Sequence, residues 1–325
     1  MEPYYILSSG TLKRSENTLL LEKEDGTKKV IPIENIDALH IFSSVSMNRE
    51  LLVFLGKVGK PMHVYNYYGF YSGSFLPRNR NESGELLVRQ VEHYLNSEKR
   101  LFLAFAFVEG ALFHIRRNLR EYPDTQPFIT EIEEEFAKAH SASTIAELMG
   151  CEGRAREAYY RAFRCFLKEE FPFEKREKHP PSNPVNALLS FGNSLLYTTI
   201  LSECYQTSLN PTISYLHEPR ERRFSLCLDL AEIFKPLIVD TLIFRLINTG
   251  VMRPQDFDRE LNGCYLNEEG RKKFLQAFDE KLNTTVKHRR LKRKVSYRTL
   301  LRLECYKLIR HLLGDEAYTP FKAWW

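Results

Sequence analysis

The chain contains no C-x-x-C pair and no histidine at zinc-finger spacing from a cysteine. Its six cysteines, Cys151, Cys165, Cys204, Cys227, Cys264 and Cys305, lie 14 to 41 residues apart. That spacing excludes a structural zinc module and reads as buried, reduced thiols. Long apolar runs are also missing: the longest, Leu101 to Val108, stops at Glu109 after eight residues, well short of the ~18 a membrane span needs. The opening Met-Glu-Pro-Tyr-Tyr has neither the basic nor the apolar region of a secretory leader, so the expectation is a cytoplasmic protein without a membrane partner. Internal repeats and low-complexity tracts are absent. With 15 Gly and 15 Pro in 325 residues, 43% hydrophobic and 27% charged, the composition excludes disordered, collagenous and fibrous classes.

What is present is length enough for two domains and an uneven distribution of charge. The net charge is +5, too small to name a partner by itself. Yet Lys281 to Arg302 holds nine Lys or Arg and no acid, so the remaining 303 residues sum to −4. A charge run is most often a solvated helix face; the absence of compensating acids here favours binding of a phosphate backbone.

Hydrophobic periodicity divides the chain. Residues 1–84 read as β-rich, with short apolar runs at Tyr4 to Leu7, Leu19 to Glu22, Lys28 to Ile33, Asp37 to Phe42, Met62 to Tyr65 and Phe70 to Phe75. Asp25-Gly26 is expected to form a tight hairpin with positive φ at both central residues, and Gly10, Asn66 and Gly73 punctuate other runs. One helix, Asn48 to Val58, interrupts the strands and ends at Gly59. From Glu85 to Trp325 the period is helical, including the runs Leu188 to Leu209 and Leu226 to Ile247. Lys178 to Pro184 holds three prolines and is expected to be an exposed loop. The fold class is therefore α+β: a small N-terminal β-rich domain, 1–84, followed by a larger all-helical domain, 85–325.

Three local constellations offer chemistry. Glu152 precedes an aromatic-rich helix, where an acid ordinarily serves as a dipole partner. His217 lies in a polar connection between two apolar runs, and the absence of a second His at 221 excludes the zincin motif. Asp229 and Glu232 stand three apart on an apolar helix, which puts both carboxylates on one face. Carboxylates there are costly to bury without a cation or hydrogen bonds. Two carboxylates and an imidazole suit a divalent metal that keeps water or phosphate oxygens. Spacing alone does not make them converge.

The ordered segments Asn186 to Tyr197, Leu209-Asn-Pro, Leu216-His-Glu and Ser225 to Glu232, preceded by Glu152-Gly153-Arg154, resemble the family of CRISPR-associated protein one, the integrase of spacer acquisition. Tyr5 to Arg14, Val64 to Gly69 and Tyr318 to Phe321 extend the resemblance over nearly the whole chain. It implies a metal-dependent DNA endonuclease and integrase whose ligands for Mg²⁺ or Mn²⁺ match Glu152, His217 and Glu232. Glu232 stands where other members have Asp, and Asp229 is an accessory acid. The family joins the 3′-hydroxyl of a captured fragment to a phosphodiester at a repeat, so no covalent enzyme intermediate is needed, and Ser190, Ser194 and Cys151 read as packing residues.

The implied partners are double-stranded DNA, a second copy of the chain docked through the N-terminal domain to give a homodimer, and CRISPR-associated protein two. Lys287, Arg289, Arg290, Lys292, Arg293, Lys294 and Arg298 are the expected backbone contacts, with Arg220, Arg222 and Arg223 holding phosphate near the metal. Two other readings remain open from the residues alone: a non-catalytic nucleic-acid-binding protein that uses the basic 287–298 segment, and a helical scaffold whose basic segment meets an acidic protein or a membrane surface.

Overall fold

The computed structural model describes residues 2–78, 81–177, 180–219, 224–260 and 263–325. The chain divides into two compact units, Met1–Asn81 and Glu82–Trp325, and the architecture is α+β, with a β-rich first unit and a helical second.

The first unit is built from β1 (Glu2–Ile6), β2 (Gly10–Ser15), β3 (Thr18–Lys23), β4 (Lys28–Ile31), β5 (Ile36–Ile41), β6 (Val45–Met47), the helix α1 (Arg49–Val58), β7 (Met62–Tyr65) and β8 (Tyr71–Phe75). They form two four-stranded sheets, ordered β1-β5-β7-β8 and β4-β3-β2-β6. The alternation of Leu19 and Leu21 turns both inward, where they meet Leu12, Ile31, Leu39, Ile41, Leu51 and Leu55 in one apolar cluster. The helix α1 is capped by the Asn48 side chain and ends at Gly59, whose φ of 69° accommodates the left-handed cap.

One strand and one turn depart from the expectation. Gly10, read as punctuation, is the first residue of β2, which pairs antiparallel with β3 and parallel with β6. Among its six residues only Leu12 is buried, so no period-2 pattern exists to see; the ladder and cross-strand contacts such as Lys13 Nζ to Glu22 at 2.7 Å hold it. The Asp25-Gly26 turn also differs. Gly26 has φ of 81° and Asp25 does not share its positive φ. Gly26 donates to the Lys23 carbonyl and Lys23 to that of Thr27, a type I turn closed by a left-handed glycine.

The second unit contains α2 (Gly84–Leu95), α3 (Ser97–Leu119), α4 (Gln126–His140), α5 (Ile145–Ala162), α6 (Pro184–Tyr205), α7 (Ser225–Phe234), α8 (Thr241–Asn248), β9 (Phe257–Glu260), β10 (Gly263–Leu266), α9 (Glu268–Asn283), β11 (Thr285–Lys287), β12 (Lys294–Ser296) and α10 (Tyr297–Leu313). A helix that is apolar on every side belongs in an interior, and α6 does: Leu188, Leu189, Leu195, Leu196, Ile200 and Leu201 are all essentially inaccessible. Around this interior, α3 packs against both α5 and α7, and α6 against α7 and α10. Alongside the helices, β9–β10 and β11–β12 form two small antiparallel ribbons.

The apolar run 226–247 is not one helix. Pro236 has no N–H for the helical ladder, and Lys235–Asp240 forms a π-helical stretch between α7 and α8. Its loosened backbone is claimed from outside: the Asn118 carboxamide donates to the Pro236 carbonyl at 2.8 Å and to Tyr159 Oη at 3.0 Å. Nor is the proline-rich segment wholly exposed. Pro181 is buried and its carbonyl accepts from Cys264 N at 2.8 Å, stitching the segment to β10, whereas Pro180 and Ser182 are exposed. Five of the six free cysteines are buried and Cys165 is half-buried. Among the described residues no helix is long and apolar enough to cross a membrane.

Candidate active site

The helix α5 starts at a capping box formed by Thr144 and Glu147. Glu152 therefore lies in the helix interior, not at its start, and the dipole explanation fails because that interaction fades within the first turn. Its Oε1 accepts from Arg156 Nε at 2.6 Å, one helical turn on. The same guanidinium reaches across to α7, where Arg156 Nη2 donates to Glu232 Oε2 at 2.6 Å. Lys235 Nζ, one turn beyond Glu232, sits 2.5 Å from Glu232 Oε1. Carboxylates from two helices thus converge on one cation. Burial would raise the Glu232 pKa, but the Lys235 and Arg156 charges outweigh it and hold it at about 2.

The segment between α6 and α7 brings the histidine. Asp229, fully buried on α7, uses Oδ2 to accept from the main-chain N–H of Tyr215 at 2.7 Å and Leu216 at 3.0 Å. Its Oδ1 faces His217 N at 3.0 Å and His217 Nδ1 at 2.8 Å. All four acceptor positions of the carboxylate are occupied, leaving Asp229 as an anchor for the loop and the ring. Arg100 Nε donates to the Tyr215 carbonyl at 2.9 Å and Arg100 Nη2 to Glu218 Oε1 at 2.6 Å, fixing the loop from α3. Burial lowers the basicity of His217, yet Asp229 and the nearby Glu232 charge outweigh it, and the net pKa is raised.

Two carboxylates and an imidazole fit Mg²⁺ or Mn²⁺ as a donor set. A ring held through Nδ1 by a buried carboxylate leaves Nε2 as the nitrogen that could coordinate an ion. In the present arrangement the carboxylates are engaged by Arg156 and Lys235, and among the described residues no three such side chains close into a metal-holding group. The two carboxylates are gathered at one cationic centre, the Arg156 guanidinium. Arg156 and Lys235 were not anticipated from the sequence, although each stands one turn from its acid, i,i+4 from Glu152 and i,i+3 from Glu232, the spacing at which helical ion pairs form.

The basic segment is a ribbon and its turn, not a helix face. Lys287 ends β11, Lys294 opens β12, and His288 N donates to the Arg293 carbonyl at 2.9 Å. Lys287, Arg289, Lys292, Arg293 and Lys294 are exposed and have no carboxylate partner among the described residues. Arg289 lies over the Trp324 ring at 4.9 Å. Arg290 is paired with Glu316 at 2.8 Å. Arg298 is turned inward from α10 toward Glu203, at 3.8 Å with 12% of its side chain exposed, so its charge is already compensated inside the protein. Arg220, Arg222 and Arg223 lie outside the described residues.

The sequence profile of the family described as CRISPR associated protein Cas1 matches residues 4–280. A CRISPR-associated endonuclease Cas1 of Thermodesulfovibrio yellowstonii is 59% identical over 325 residues, all of each chain. One from Clostridium perfringens is 56% identical, with 99% of each chain covered. Among solved structures, a Cas1 protein from Thermotoga maritima shares 43% identity with a TM-score of 0.91, covering 98% of this chain and 99% of that one. The fold recurs at lower identity in a casposase bound to its integration product (21%, TM-score 0.84, 99% and 93% covered). It recurs also in a Cas6-RT-Cas1–Cas2 complex (19%, TM-score 0.88, 99% and 36% covered).

Proposed function

The chain belongs to the CRISPR-associated Cas1 family, and from that premise we propose that it is a divalent-metal-dependent DNA endonuclease and integrase that inserts captured fragments as new spacers at a CRISPR repeat. The observation that carries the reading is the meeting of Glu152 and Glu232 on Arg156, beside an imidazole oriented by a saturated, buried Asp229. The names of the endonuclease relatives support it. Glu152, His217 and Glu232 would hold Mg²⁺ or Mn²⁺, which when bound favours ionisation of an attacking hydroxyl and offsets charge on phosphoryl oxygens. Asp229 keeps His217 in one orientation with Nε2 outward. Arg156 neutralises the paired acids when no other cation does, which keeps the half-buried Glu152 and the buried Glu232 from repelling each other. The partners proposed are double-stranded DNA, a second copy of the chain through the N-terminal unit, and the Cas2 protein, a component of the complex whose Cas1 portion shares this fold.

The test is joining of a 3′-hydroxyl-ended duplex to a repeat-bearing DNA by the purified chain, with and without the Cas2 partner. Joining is expected with Mg²⁺ or Mn²⁺ and not after chelation. Undiminished joining in excess chelator would overturn the metal dependence.

The ribbon supplies a second expected outcome. Lys287, Arg289, Lys292, Arg293 and Lys294 project cations without the polar amides of base readout, so they are assigned to the DNA backbone. Replacing all five by Gln should flatten the slope of log K against log[salt] by up to about 4.5, at about 0.9 per phosphate contact. The loss should be alike on unrelated duplexes; an unchanged slope would reject the backbone role, and a loss restricted to one sequence would indicate base reading.

A further inference from the structure

Away from Glu152, His217 and Glu232, a cavity of about 350 Å³ opens between α3, α8, α9 and the start of α10. None of those three side chains lines it. Arg117 comes from α3, Arg245 from α8 and Lys281 from the last turn of α9, so three helices each contribute one cation to its wall. Glu121 is the single acidic side chain on the lining, and it is exposed; Arg245 and Lys281 have no Asp or Glu ion-pair partner among the described residues, whereas Arg117 donates to the terminal oxygen of Trp325.

Gathered cations repel one another, and the half-buried Lys281 registers it: burial, with the Arg245 and Arg117 charges, lowers its pKa to about 8. Its ammonium is held over the Tyr297 ring at 4.7 Å. Arg117 spends one N–H on the terminal carboxyl oxygen of Trp325, the last residue, and keeps others. The remaining wall is largely aromatic, from Tyr122, Phe244, Tyr297 and Trp325, the last 37% exposed. Asn248 adds a buried carboxamide oxygen that receives no hydrogen bond, an acceptor of the kind that meets an N–H group on a base.

We propose that this cavity binds a nucleotide phosphate monoester, with Arg117, Arg245 and Lys281 on the phosphate and the ring of Trp325 or Tyr122 against the base. A dianion answers three clustered cations, charge-assisted bonds to guanidinium and ammonium groups are the strong ones, and every base has a π-face for an aromatic wall. The volume falls within the range of small-molecule sites. A free mononucleotide and the 5′-phosphorylated end of a strand present the same chemistry. The site goes beyond the strand-transfer reading and does not depend on it.

The experiment measures equilibrium binding to the full chain for five probes: thymidine, thymidine 5′-monophosphate, inorganic phosphate, and hexathymidylate with and without a 5′-phosphate. The monophosphate is expected to bind at least about tenfold tighter than the nucleoside, one charge-assisted contact accounting for that factor, and tighter than inorganic phosphate. Lys281→Gln and Arg245→Gln should each raise its Kd about tenfold, whereas Lys272→Gln, exposed on α9 and outside the lining, should leave it unchanged. Lys281 followed by NMR should titrate above about 8 when the ligand is bound, because an anion stabilises the ammonium. A preference for the phosphorylated strand over the free nucleotide, or the reverse, identifies the source. Equal affinity for nucleoside and monophosphate, or indifference to both substitutions, would overturn the site; inorganic phosphate bound as tightly as the nucleotide would remove the base from it.

Discussion

Glu152→Gln, His217→Ala and Glu232→Gln are each expected to lower strand transfer by about 10³-fold or more. Groups that answer charge at a reacting phosphate act where charge grows in the transition state, and losing one such group costs about 10² to 10³ even in milder cases. Gln is the informative replacement for the acids because their removal is not structurally neutral. Glu232 has 9% of its side chain exposed and carries both Arg156 and Lys235; Glu232→Ala leaves two half-buried cations without their shared carboxylate, and breaking such a pair costs about 3–5 kcal/mol. Glu152→Ala is milder, since Arg156 keeps Glu232. The measurements are strand transfer at saturating metal, melting temperature and DNA affinity for each variant. Wild-type strand transfer in all three folded variants would overturn the assignment of these side chains.

Asp229→Ala is expected to destabilise the protein by about 3–5 kcal/mol, because three main-chain N–H groups and one ring nitrogen lose a charged acceptor in a place water does not reach. At the scale of about 2–4 °C per kcal/mol for a large domain, melting should fall by roughly 10 °C. Strand transfer should fall by about 10–100-fold in the fraction that remains folded, the usual consequence of losing the partner that orients a ligating histidine. Asp229→Asn should be nearly as damaging: it offers one acceptor oxygen where two are used and turns an NH₂ toward N–H donors. Thermal melting followed by circular dichroism gives the first number and a joining assay at a temperature where the variant is folded gives the second. A melting point within about 1 °C of wild type would reject Asp229 as the anchor of the 215–217 loop.

Local chemistry was legible where one short stretch contains the whole cause. Asn48 and Gly59 bracket α1 because a cap needs only its own turn. Asp229 and Glu232 share a face because the helix repeat puts them there. Glu152, His217 and Glu232 were named through the family resemblance, and no spacing between positions 152, 217 and 232 could have joined them. In the fold the junction is made by Arg156, whose guanidinium faces α7 only because α5 and α7 both pack on α3.

The strands that escaped notice are those whose stabilising partners are remote. In β2 there is a single buried apolar side chain, Leu12, and the strand exists because β3 and β6 offer it hydrogen bonds. The basic stretch 287–294 reads as a charge run in one dimension, whereas antiparallel pairing of Val286 with Val295 makes it a ribbon. Arg298 belongs to the same run yet turns inward, since its place on α10 points it at Glu203. The helix of 226–247 yields at Pro236, and the site of the break is set by the missing N–H in the sequence, but its π-helical form is sustained by the Asn118 carboxamide from α3. From the sequence alone came the β-then-α order, the helical faces, the caps and the concentration of cations near residue 290, all of which follow from covalent neighbours within a few turns. Which carboxylate meets which cation, which arginine is buried, and that Asp229 has no acceptor position left were decided by tertiary packing, because hydrogen bonds and ion pairs act over a few ångströms and only the folded core brings α3, α5, α7 and the 215–217 loop within that reach.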